Sequence, residues 1–501
     1  MEKTNISLKL LLVIAGLLVV LSISPVMADD SLADSQSPKY QGDNQNTGQS
    51  PYTGPQTNQT EWNYTLNSSE SIEIAPAIGP DGTIYLPVTI RTNTHTYCDL
   101  KAINSDGTLK WNYALNNGAG SNSGFSGTPA IGSDGTIYIP GFAESKCFML
   151  ALNSDGTLKW NYINEGSTGW NSPAIGSDGT IFTTGFYQGE TPMGSRQYGI
   201  LYAINPNGTS KWNYTITEPS YGMSWSYGAP AIGPDGTIYF TGEIGYYGIT
   251  GRLYALDPNG TLKWQKIINP NPSYYTNLRI SPVVAKDGSI IITPYYYNYV
   301  DHTNVVYVFN PDGSEKWKTI LPHTLIRGLA LASDGTLYVT GWYENGNSIT
   351  GILYTIGADG SLKWNYTTEY PLNFNPVIGN DGTIYFGEGT LPNTLYALNR
   401  DGTLKWSLPV QTTTAPVIGA SGALYVGIVN DGLLGDLYSL LTIRSPYSPQ
   451  DDPASNNIND PSNTVNAASK TIKMQETGLP INLMVLAILM VLGGLIQTKR
   501  N

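Results

Sequence analysis

An all-β fold of eight stacked four-stranded sheets is what this 501-residue sequence predicts, and three observations predict it. Charged residues make up only 13% of the chain while Gly (55), Pro (32) and Tyr (35) abound, which suits short strands and turns better than helices with charged outer faces. An eleven-residue segment recurs eight times without gaps, starting at residues 75, 128, 172, 229, 281, 328, 375 and 415, as in APAIGPDGTIY at 75. A second unit, such as LKAINSDGTLKWNY at 100 or LYALNRDGTLKWSL at 395, follows each of the first seven copies.

Both units have one form: a short apolar run, then Asp-Gly or Asn-Gly, then another short apolar run. These dipeptides tolerate the positive φ that tight hairpins require, so each repeat is two hairpins. The four strands are A (the Pro-Ala-Ile-Gly run), B (from Thr-Ile-Tyr), C (Leu-Tyr-Ala-Ile) and D (Lys-Trp-Asn-Tyr). Such a sheet does not bury both faces alone, so successive sheets must stack, and radial stacking makes a propeller. The eighth copy keeps its strand C at 437 but no Lys-Trp unit follows it; Thr60-Glu61-Trp62-Asn63-Tyr64 matches the missing strand D and precedes the first strand A. The prediction is therefore an eight-bladed β-propeller of antiparallel blades, closed by an N-terminal strand. Each blade has one repeat tryptophan: Trp62, Trp111, Trp160, Trp212, Trp264, Trp317, Trp364 and Trp406.

The ends read differently. Lys3 and Lys9, an apolar stretch and Val26-Met27-Ala28 predict a signal peptide over residues 1–28. Residues 29–59 lead into the propeller at 60–444. Residues 445–478 are too polar to collapse and are expected to form a disordered tether. The apolar segment at 479–498 precedes Lys499 and Arg500 and is expected to be a C-terminal transmembrane helix or a sorting tail, with all that precedes it outside. The expected location is the extracellular face of the membrane or the cell wall.

The run Ala102-Ile103-Asn104-Ser105-Asp106-Gly107, with Trp111 four residues on, resembles the tryptophan-docking repeat of the PQQ-like family, which includes quinoprotein alcohol dehydrogenases and outer-membrane assembly propellers. It has Asp-Gly where that family usually has Thr-Gly. The segment YQGDNQNTG, residues 40–48, is similar to the strand that leads into such propellers. The resemblance covers residues 36–444 and speaks for fold far more than for function. A PQQ-dependent dehydrogenase of this family is expected to show adjacent cysteines and a calcium-binding set of acidic and amide side chains. Here Cys98 and Cys147 are far apart, and no irregular loop concentrates carboxylates.

Other chemistries find little support. A net charge of −12 repels phosphate backbones and argues against nucleic acid as a partner. His95, His302 and His323 lack metal-ligand spacing. Each Asp-Gly turn offers one carboxylate, too few converging oxygens for calcium, so no metal and no cofactor is assigned. Cys98 and Cys147 occupy equivalent positions in neighbouring blades and point the same way round the ring, which predicts two free, buried thiols.

If the A–B and C–D turns lie on one face, the B–C and D–A connections emerge on the other. The irregular segments are these connections, and many of the tyrosines outside the repeats lie in them. The candidate ligand contacts are Trp170, Tyr187, Trp225, Tyr227, Tyr274, Tyr275, Tyr295, Tyr296, Trp342 and Tyr343. Their rings and hydroxyls suit sugars, peptides or protein surfaces. The expected function is non-catalytic binding or scaffolding of a protein or cell-surface glycan by a monomeric propeller. The alternatives are a dehydrogenase-like enzyme and an envelope protein-assembly scaffold.

Overall fold

Every repeat turn is a hairpin in which the glycine alone takes a positive φ. In blade 1, Gly82 sits at 79° and Gly107 at 86°, while among the described residues the non-glycines with positive φ are Gln41 and Asn46. The aspartate has another task. Asp81 Oδ1 accepts from the Thr83 N–H at 3.0 Å and Oδ2 from the Thr83 hydroxyl at 2.8 Å, while Gly82 N–H closes the turn on the Gly79 carbonyl. Aspartate followed two residues later by threonine or serine thus locks the turn from its own side chains.

The computed structural model describes residues 32–35, 37–115, 123–143, 146–165, 167–191, 194–217, 223–245, 250–268, 275–278, 280–297, 304–322, 324–345, 348–389, 393–430 and 437–445. The predicted signal peptide, tether and C-terminal segment lie outside these residues, as do His302 and His323. Among the described residues no helix is long and apolar enough to cross a membrane. The chain divides into two units, Met1–Ser445 and Pro446–Asn501, and the blades belong to the first.

Among the described residues eight antiparallel blade sheets form, each with strands A to D in spatial order, beside one separate two-stranded sheet. Blade 1 runs from a strand A in two pieces, Glu70–Ser71 and Ala77–Ile78, through Ile84–Arg91 and Thr96–Ile103 to Leu109–Leu115. The split has a cause in the sequence. Proline precedes the inner piece at 76, 129, 173, 230, 282, 376 and 416, and a proline lacks the N–H that would continue the ladder. Blade 6 has Leu329 at this place, and its strand A is continuous over Thr324–Leu331. The ring closes as predicted: Thr60–Thr65 pairs antiparallel with Leu437–Ile443 and supplies strand D of blade 8.

The repeat tryptophans hold neighbouring blades together. Trp111 of blade 1 lies against Gly156 in the C–D turn of blade 2, and its indole N–H donates to Ser154 O at 3.0 Å. The same pair of contacts recurs for Trp160 with Gly208 and Pro206 O, and for Trp212 with Gly260 and Pro258 O. Across the closure, Trp62 of blade 8 meets Gly107 and Ser105 O of blade 1. Blade 8 has no C–D turn because its strand D comes from the N-terminus, and Trp406 of blade 7 donates instead to Pro55 O at 2.9 Å.

On the turn face, strand D also reaches back within its blade. Lys110–Asp81, Lys159–Asp134, Lys211–Asp178 and Lys316–Asp287 pair at 2.9, 2.8, 2.6 and 2.8 Å. Partial burial tends to raise Asp178 and Asp287, but bonds from the lysines and from Thr180 and Ser289 outweigh it and bring both to about 2. These carboxylates are therefore committed to turns. Blade 8 departs from the pattern at both partners: Ser421 replaces the aspartate, and Glu61, in place of the lysine, pairs with Arg444 at 2.9 Å.

Cys98 and Cys147 are buried and unbridged. Burial raises their thiols to about 12 and about 11, which leaves almost no thiolate at neutral pH. Native protein is expected to resist a thiol-reactive dye at pH 7 for hours and to take up the dye at both cysteines once denatured. Rapid labelling of the native state would contradict this burial.

Candidate functional site

The residues ahead of the first blade do more than close the ring. Residues 32–35 and 37–52 encircle the propeller axis beside the A–B turns and bond to the innermost strand of blade after blade. Ser37 O accepts from Ile78 N–H in blade 1, and Pro38 O accepts from Ile131 N–H in blade 2. The Asn44 amide donates to Ile175 O in blade 3, and Asn44 O accepts from Ile232 N–H in blade 4. Gln45 O, Thr47 O and Gly48 O accept from Val284, Leu331 and Ile378 in blades 5, 6 and 7. The inner strands expose N–H and C=O groups toward the axis, and a buried orphan there is costly, so the segment satisfies what the ring alone leaves open.

At its centre lies a buried polar knot. Lys39, 1% exposed, donates from Nζ to Asp43 O at 3.0 Å and to Asn46 Oδ1. The Asn46 amide donates to Pro230 O and Pro282 O at 3.3 and 3.1 Å, joining blades 4 and 5. Burial raises the Asp43 carboxyl, partly offset by bonds from the hydroxyl and N–H of Thr47.

Against this segment lies a cavity of about 960 Å³, lined by Tyr40, Gln41, Glu73, Thr128, Ser172, Arg327, Asn373, Phe374 and Asn375 among others. Asn375 Nδ2 donates to the Tyr40 hydroxyl at 2.7 Å, and its Oδ1 accepts from Leu329 N–H at 3.1 Å. Glu73 is paired with Arg91. The sequence reading missed this axial site, although YQGDNQNTG and the irregular sixth repeat both signalled it.

The predicted loop-face aromatics fall in distinct places. Trp225 is half-buried, with its indole N–H on Gln197 Oε1 at 2.6 Å, and Tyr227 packs edge-on to Phe186 at 6.0 Å. Tyr187, also partly buried, stands on strand B of blade 3 opposite Tyr198. Trp342 and Tyr343 are half-buried on strand B of blade 6, and Arg327 lies over the Trp342 ring at 4.9 Å. The backbones of Tyr275, Tyr295 and Tyr296 belong to a two-stranded antiparallel sheet that flanks blade 5, Tyr275–Asn277 with Tyr295–Tyr297, whose side chains lie outside the described residues, as does Tyr274. Trp170 corrects the expectation for that residue. It is 0% exposed, between Tyr162 at 5.8 Å and Tyr202 at 5.0 Å, so its ring packs the interior and presents nothing to a ligand.

A ring of tryptophan-docked, four-stranded blades defines the class as a PQQ-like propeller. A family model described as outer membrane protein assembly factor BamB matches residues 53–245, 99–300 and 302–441, and the chain belongs to this PQQ-like repeat family. Among solved structures, a europium-containing methanol dehydrogenase is similar at 12% identity and a TM-score of 0.60, covering 83% of this chain and 100% of that one. A structure titled Dos1 propeller covers 79% of this chain and 97% of that one at 9% identity, with a TM-score of 0.45. No curated protein matches the chain in sequence. At 12% identity the methanol dehydrogenase structure speaks for the fold alone.

The resemblance to quinoprotein dehydrogenases asks whether the residues fit a quinone with its calcium. Cys98 and Cys147 stand on strand C of blades 1 and 2 and form no adjacent pair. Of the acids that line the cavity, Glu73 is held by Arg91 and Asp43 by Thr47, while Asp34 is exposed. Among the described residues no three His, Cys, Asp or Glu side chains gather where they could hold an ion. This donor set does not fit the quinone–calcium pair.

Proposed function

We propose that the protein is a non-catalytic cell-surface recognition module that binds a protein or glycan through the loop face of its propeller. The observation that carries this reading is the set of half-buried aromatics on that face, each fixed by a neighbour: Trp225 by Gln197, Tyr227 by Phe186 and Trp342 by Arg327. Fixed amphipathic rings lose little entropy on binding, which is why tryptophan and tyrosine dominate recognition surfaces. Export by the N-terminal segment and retention by the C-terminal one belong to the same proposal. Within binding roles, an envelope-assembly scaffold is the second reading, favoured by the description of the family model.

The test titrates the full chain with cell-wall glycans and with extracted surface proteins, following binding and thermal stability, in parallel with PQQ plus calcium. Binding to a surface component that weakens about 10-fold or more in Trp225→Ala or Trp342→Ala is expected. Saturable quinone binding with a rise in melting temperature overturns the proposal in favour of an enzyme.

A further inference from the structure

Strand A of blade 6 departs from its seven counterparts in linked ways. Its repeat has Gly328-Leu329 where the others have a residue followed by proline. With the N–H restored the strand runs unbroken, and its pairing with Leu337–Asn345 slips by one residue between Ile326 and Gly328. A bulge re-aims the side chain of the unpaired residue, and here that residue is Arg327. At the equivalent position the other blades have Ile74, Gly127, Asn171, Gly228, Ile280, Phe374 and Thr414, so the ring contains a single charge.

Arg327 is exposed, lines the axial cavity and lies over the Trp342 ring at 4.9 Å from the centroid. No ion pair to a carboxylate is found for it among the described residues. A guanidinium drawn over an indole ring is positioned by that contact and still has N–H donors for a planar, two-oxygen anion. The Trp342 indole N–H is itself buried without a hydrogen-bond partner among the described residues. The same cavity offers Thr128, Ser172 and Asn373 with the ring of Phe374, a mixture of hydroxyl, amide and apolar surface suited to a sugar.

We propose that Arg327, positioned by Trp342, is the acid-binding subsite for a glycan that carries isolated uronic-acid carboxylates, seated in the axial cavity. A polyanion is disfavoured because the chain's net charge of −12 repels it, whereas one carboxylate meets the one unpaired cation of the ring. The inference rests on the surface-recognition reading and names its ligand.

The test uses calorimetric titration of the full chain with oligosaccharides bearing one glucuronic- or galacturonic-acid residue, their methyl esters and their neutral parents. The acidic sugar is expected to bind at least about 10-fold more tightly than its ester. Arg327→Gln is expected to abolish that preference, so that acid and ester bind alike, and Arg327→Lys to restore it in part. Equal affinity for acid and ester, or an acid preference that survives Arg327→Gln, overturns this subsite and leaves surface recognition standing. If none of the sugars binds while a surface protein does, the glycan subsite falls and recognition of a protein remains. If neither binds, both readings fall.

Discussion

Trp111→Ala is expected to destabilise the propeller by about 2–4 kcal/mol, measured by denaturant unfolding, the lower part of the range for a tryptophan because the ring is half-buried. The ring covers Gly156 of the next blade and its N–H bonds to Ser154 O, so the substitution opens an interblade seam and removes one interblade hydrogen bond. Gly156→Ala attacks the same seam from the other side. Its φ of +85° strains any side chain, and an added Cβ meets the Trp111 ring at 2.7 Å, together a loss of about 2–4 kcal/mol. The double variant is expected to lose clearly less than the sum, because removing the indole relieves the clash and leaves only the backbone strain. Strict additivity would show that the glycine is required for its turn alone.

Asn46→Ala is expected to reduce stability by about 3 kcal/mol or more, although it removes only one small side chain. Asn46 is 0% exposed, accepts from Lys39 Nζ and donates to the carbonyls of Pro230 and Pro282. The substitution leaves an ammonium and two carbonyls underpaired at the axis and places alanine at a φ of 57°. Asn46→Gly tolerates that φ and is expected to lose slightly less. Limited proteolysis provides the second measurement: cleavage within residues 32–53 is expected to accelerate in both variants before the blades are cut. An unchanged unfolding midpoint in Asn46→Ala would remove the axial segment from the account of stability.

Much of the fold was legible because it rests on local chemistry repeated eight times. Aspartate-glycine turns, alternating apolar strands and one tryptophan per repeat each point to the same hairpins, and the missing eighth strand D was found 60 residues into the chain, where Trp62 stands. The prolines ahead of strand A were equally visible, and their effect on the ladder follows from a missing N–H. The candidate site was less legible. Trp170 and Trp225 look alike in the sequence, both in irregular segments beside glycine or serine, yet one ring is enclosed by Tyr162 and Tyr202 and the other reaches the loop face. Burial of that kind depends on which blade lies alongside.

The sequence by itself determined the strand pairing within blades, the number of blades and the strand that closes the ring, since each depends on residues a few positions apart or on one repeated pattern. Only the tertiary structure decided the axis. That residues 32–35 and 37–52 encircle it, that Asn46 joins blades 4 and 5, and that the bulged Arg327 lies over Trp342 all depend on groups brought together from distant parts of the chain. No local propensity encodes such meetings; they follow from the closure of eight sheets around unpaired inner strands, whose N–H and C=O groups must find partners.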